Sequence, residues 1–88
     1  NFYSNGEKLL AFAYSDTTTD IYDIDTGKKL FTIPYKVIST SSDRYIIVGR
    51  EAENIYGVYD FKGNMVAPVE LSWQQLYENK YVNTTKRE

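Results

Sequence analysis

The chain has neither cysteine nor histidine among its 88 residues. The first absence excludes a disulfide framework and any thiolate metal site. The second removes the commonest general base and the commonest transition-metal ligand. Ser–His–Asp and Cys–His machinery is therefore excluded, and a zinc site would need carboxylates alone. Long hydrophobic runs are missing too: no apolar stretch reaches the ~18 residues that a membrane-spanning helix requires. Neither charge sign dominates, since ten Lys/Arg and twelve Asp/Glu are well mixed and leave a formal charge of −2. That balance argues against a nucleic-acid or anionic-membrane surface. The five glycines stand apart and none opens a helix after a strand, so there is no Gly-rich cradle for a phosphate.

The chain opens on Asn1 rather than Met, which leads us to expect a processed chain or a piece of a longer one. No signal peptide or lipidation motif is visible, so export is neither read nor excluded and the compartment stays open. Asn83-Thr84-Thr85 matches the glycosylation sequon, which matters only in a eukaryotic secretory setting.

What the chain does have is aromatic mass and a repeat. Nine Tyr, four Phe and one Trp supply the large side chains that a domain this small needs for a core. "LLAFAYS" at 9–15 lies over "YIIVGRE" at 45–51 with an offset of 36, and Gly27 meets Gly63 at the same offset. Tyr22-Asp23 meets Tyr59-Asp60 at 37, and Tyr45 meets Tyr81 at 36. The chain thus reads as two units, about 9–44 and 45–80, with "YVNTTKR" supplying the first strand of a third at 81–85.

Inside each unit apolar residues alternate with a period of two, as in Leu10, Phe12 and Tyr14, which indicates strands. "IYDIDTGKKL" and "VYDFKGNMV" each read as strand, Asp-initiated turn, Gly and strand, a β-hairpin. Pro34 and Pro68 are expected at strand ends. The fold class is all-β: antiparallel sheets of six or seven short strands from two tandem strand–strand–hairpin repeats, with at most one short helix. That helix is "SWQQLYEN" at 72–79, where Ser72 and Gln75 have capping-box spacing. Tyr22 and Tyr59 are expected on equivalent sides of their strands, with Ile24 and Phe61, on a packing face.

"YGVYDFKGNMVAPVEL", residues 56–71, resembles the WG-repeat family of bacterial tandem repeats. Tyr56 stands where that family usually has Trp, while Gly57, Asp60, Lys62, Gly63 and Pro68 match its pattern. The first unit departs, with Asp20-Ile21 for the aromatic-Gly pair and a longer turn, and "IYDIDTGKKLFTI" is similar to the outer hairpin of a β-propeller blade. Both resemblances imply repeated antiparallel sheets, a binding or scaffolding role and no catalytic residue. Two units do not close a ring of four to eight blades, so a propeller reading implies a fragment or an assembly of copies.

No catalytic residue, cofactor or metal ligand is assigned. Asp16, Asp20, Asp23, Asp25 and Asp60 are scattered, and a domain of two small repeats has little room for the cleft that a carboxylate pair needs. "DIDTG" at 23–27 opens like a calcium loop, but Gly27 comes too early and no distant Glu follows, so a hairpin turn accounts for it. Trp73 and Tyr77 share one face of the expected helix and form the candidate interaction surface. They support two readings: a protein-interaction module with an unidentified protein partner, or a carbohydrate-binding module. The competing structural role is that both plug the sheet. An unfinished third unit also leaves a strand at 81–85 to pair either within the chain, beside 9–14 or 45–50, or with another copy as a homodimer through edge strands. We expect the second, with Lys80, Lys86 and Arg87 guarding against open-ended pairing.

Overall fold

The computed structural model describes residues 2–41 and 44–85. The alternation in the sequence produces eight strands in two antiparallel four-stranded meanders. The first sheet contains β1 (Phe2–Ser4), β2 (Leu9–Tyr14), β3 (Thr19–Asp23) and β4 (Lys29–Ile33). The second contains β5 (Val37–Ser41), β6 (Tyr45–Arg50), β7 (Ile55–Asp60) and β8 (Met65–Leu71). A 3-10 turn at Glu51–Glu53 joins β6 to β7, and one α-helix, α1 (Trp73–Glu78), follows β8.

The all-β class and the tandem units hold, with eight strands instead of six or seven. The two additions are β1 and β5, each of which opens its sheet one strand ahead of the boundaries at 9 and 45. "VIST" supplies β-branched residues for β5, with Val37 packed between the sheets and Ile38 on the opposite face. Pro68 sits within β8 rather than at its end, on an edge strand whose pairing with β7 is interrupted by bulges. That is where a strand tolerates a missing N–H.

Residues 81–85 are a correction, since they form no strand. The segment folds back over the second sheet, with Val82 buried and the Tyr81 ring edge-on to Tyr45 at 5.2 Å. Burial of these apolar side chains replaces strand pairing as its anchor. Lys86 and Arg87 of the expected edge, and the Ser42-Asp43 part of the β5–β6 connection, lie outside the described residues.

The sheets meet through repeat-equivalent faces. Leu10 and Phe12 share one buried cluster with their counterparts 36 residues on, Ile46 and Val48, together with Ile21, Ile33 and Tyr59. A ring of blades brings opposite faces of successive sheets together, whereas here like faces like, as in a two-fold sandwich. Thr19 fixes the crossing between sheets. Its buried hydroxyl donates to the Tyr35 carbonyl at 2.9 Å and accepts from the Val37 N–H at 3.1 Å.

Tyr22 and Tyr59 are a second correction, because they stand on opposite faces. Leu10 pairs with Asp23 and Ile46 pairs with Tyr59, so the strands keep an offset of 36 while the Tyr-Asp pairs are 37 apart. A one-residue slip turns every side chain over. Tyr59 and Phe61 therefore join the core between the sheets, while Tyr22 and Ile24 point outward from the first sheet.

Candidate functional site

Helix α1 forms as its capping box dictates. Ser72 accepts the Gln75 N–H at 3.2 Å, and the Gln75 side chain accepts the Ser72 N–H at 2.9 Å. The helix lays Trp73 and Leu76 on the outer face of the second sheet, in a cluster with Ile47, Tyr56, Val58, Ala67 and Val82. Trp73 is only 7% exposed. Its indole N–H donates to the Thr84 carbonyl at 3.0 Å, and its ring meets Tyr56 edge-on at 5.2 Å. Trp73 therefore plugs the sheet, which is the structural role weighed against ligand contact. Tyr77, 38% exposed, lines a shallow depression with Lys80, Val82 and Asn83. The two aromatics do not form a joint platform.

The acidic residues serve turns. Asp23 Oδ1 accepts from the N–H groups of Asp25 and Thr26 at 2.9 and 3.3 Å, and Oδ2 meets Lys8 Nζ at 3.2 Å. The Lys8 ammonium, joined by those two N–H donors, holds the Asp23 carboxyl below the usual range despite its burial. Asp60 accepts from the Lys62 and Asn64 N–H groups, both at 2.9 Å, and from Asn64 Nδ2 at 3.1 Å. Burial pushes its pKa up, but the hydrogen bonds from Asn64 and Lys62 outweigh it and leave the pKa lowered. Tyr59 is shifted the other way, its phenol raised by burial and by nearby Tyr35. Among the described residues, no three Asp or Glu side chains gather as they would around a metal ion.

Two adjoining depressions open at one end of the sandwich, where Asp16, Lys36, Gly49 and Arg50 line both. The cations there are engaged within the chain: Arg50 Nε lies 3.0 Å from Glu53 Oε2, and Lys36 Nζ lies 5.9 Å over the Tyr14 ring. With Asp16 and Glu51 beside Lys36 and Arg50, both signs are present and the cleft presents no single charge to a ligand.

The unbalanced surface is the outer face of the first sheet. Across its strands Phe2 pairs with Ala11, Ala11 with Tyr22, and Tyr22 with Lys29. An irregularity in the β3–β4 register adds Leu30 to the same side, next to inward-facing Phe31. Phe2 is 72% exposed, Leu9 49% and Leu30 43%. The row has a shape: Ala11 is a low floor between two aromatic walls, Phe2 and Tyr22. The equivalent face of the second sheet carries Ile47 and Val58 and is covered by α1. The sequence reading missed this face because it placed Tyr22 on the side of Tyr59. The signal was present in the unequal offsets of 36 and 37.

No family model, curated protein or solved structure matches this chain. Tyr56, Gly57, Asp60 and Gly63 of the stretch that resembles a WG repeat have local structural roles. A Cβ on Gly57 would lie 2.6 Å from Val69 Cγ2 and 2.9 Å from Val69 Cα and N, so only glycine lets β8 approach β7 there. Gly63, at φ +93, takes the left-handed turn position that Asp60 caps. Tyr56 is core. Among the described residues, no helix is long and apolar enough to cross a membrane.

Proposed function

We propose that this protein is a non-catalytic interaction module that engages another protein through the outer face of its first sheet. The observation that carries this reading is the inequality of two repeat-equivalent faces. The second sheet's outer face is buried beneath α1, while the first leaves Phe2, Leu9 and Leu30 in water. Clustered exposed apolar residues with a polar rim, here Ser4, Asp20, Lys29 and Thr32, mark interaction sites more often than scattered single residues do. The missing histidine and cysteine and the structural use of Asp23 and Asp60 support a role without chemistry. The resemblance of residues 56–71 to bacterial WG repeats supports scaffolding.

Affinity capture with the wild type, with Leu9→Glu/Leu30→Glu and with Met65→Glu/Val66→Glu tests this reading. The last pair changes exposed apolar residues on β8, away from the face. A protein held by the wild type and the β8 variant but released by the face variant is the expected result. Retention by the face variant, or no protein held at all, contradicts it.

A further inference from the structure

We infer that the occupant of this face is a short amphipathic helix of the partner protein, presenting a large aromatic and an aliphatic residue at i and i+3. The inference rests on the interaction reading above and adds the chemistry of the partner. Three observations carry it.

The chain itself covers the repeat-equivalent face with such an element. Trp73 and Leu76, three residues apart on α1, are the side chains it lays on Ile47, Val58 and Ala67. The relief also fits. Where the second sheet has Ile47, the first has Ala11, flanked across the strands by Phe2 and Tyr22. A floor of small residues between aromatic walls accepts the ridge of a helix, the groove mode of peptide recognition.

The size of the face decides between a helix and a second copy. Phe2, Ala11 and Tyr22 share one row across the strands, with Leu9 and Leu30 to either side of it. The strip therefore runs ~14 Å across four strands and ~10 Å along them, a footprint of ~140 Å². Stable protein–protein interfaces bury about 800 Å² on each partner, so this strip is too narrow to be the face of a second copy and suits one short element of a partner. A three-turn helix, ~16 Å long and 10–12 Å across, matches the strip when laid across the strands. An added strand would instead need a sheet edge, and the exposed apolar residues here lie on the face.

Two Ala/Glu/Lys-based peptides of identical composition test the inference by amide chemical shifts of the intact 88-residue protein. One carries Trp and Leu at i, i+3 and i+7, and the other places the same residues with a period of two. The expected result is saturable shifts at Leu9, Ala11, Tyr22 and Leu30 with the helical pattern, at least ~10-fold tighter than with the alternating one. Helicity of the bound peptide should rise in circular dichroism, and Leu9→Glu/Leu30→Glu should abolish the shifts. Equal binding of both peptides, or shifts confined to β4 or β8, overturns the helix. Sedimentation showing dimers that the face variant dissolves overturns it in favour of a second copy. Face-dependent protein capture without binding of the helical peptide overturns the inference while leaving the interaction reading intact.

Discussion

Ala11 and Ile47 hold the same place in the two sheets, 36 residues apart, each paired across to a residue of the next strand, at Tyr22 and at Val58. Ile47 shares a buried cluster with Trp73 and Leu76 of α1. Ala11 lies between Phe2 and Tyr22, with Leu9 and Leu30 exposed around it. A sheet with one face on a core and the other in water normally places polar residues outside. The first sheet follows that rule at Ser4, Asp20, Lys29 and Thr32 but departs from it along the strip of Phe2, Leu9, Ala11 and Leu30, and that departure is the functional proposal.

Trp73 ties the helix, the second sheet and the 81–85 segment together. Trp73→Ala should cost about 3–5 kcal/mol in urea unfolding, the usual range for a large buried aromatic. Trp73→Phe should cost less, because the ring contact with Tyr56 survives while the hydrogen bond to Thr84 does not. In the wild type, emission from this single Trp should be blue-shifted and poorly quenched by acrylamide. Quenching equal to that of free Trp would place the indole in solvent.

Gly57→Ala should destabilise by about 1–3 kcal/mol through overpacking against β8. Val69→Ala in the same chain should recover part of that loss, since it removes Cγ2 but leaves the backbone contact. A double-mutant cycle reads the coupling directly. Strict additivity would show that the β7–β8 approach is looser than described.

Acid should weaken the fold through Asp23 and Asp60. Both carboxyls are held below their ordinary values in the folded chain. Their contribution is complete above an unfolded pKa of ~3.9 and is lost as pH falls through the depressed folded values. The melting temperature should therefore hold from neutral pH to about 5 and drop below about 4. Asp23→Asn/Asp60→Asn keeps the turn acceptors but removes the charges. It should start lower at pH 7 and lose less on acidification. Parallel pH profiles for the two proteins would assign the acid loss elsewhere.

The repeat, the all-β class and α1 were legible because alternation and the Ser72–Gln75 box are local signals. The outer face was less so. The Tyr-Asp motif starts its turn one residue earlier in the first unit, so motif alignment and strand register disagree there, and register decides the face. The first strands were missed for another reason. "FYS" is three residues, too short for a period to show, and "VIST" runs into polar residues without a turn signal. Residues 81–85 read as a strand by homology to 45–49, but the helix before them holds Val82 and Tyr81 against the second sheet instead.

The most direct test of the account compares charge placed on the two equivalent faces. Leu9→Glu/Leu30→Glu and Ile47→Glu should be melted beside the wild type. If the first face is open, the double variant stays within about 0.5 kcal/mol of the wild type, as surface changes do. Ile47→Glu, placing a charge beneath α1, should lose at least ~3 kcal/mol or fail to fold. A double variant as damaged as Ile47→Glu would show that the first sheet's outer face is already covered, and would contradict the account.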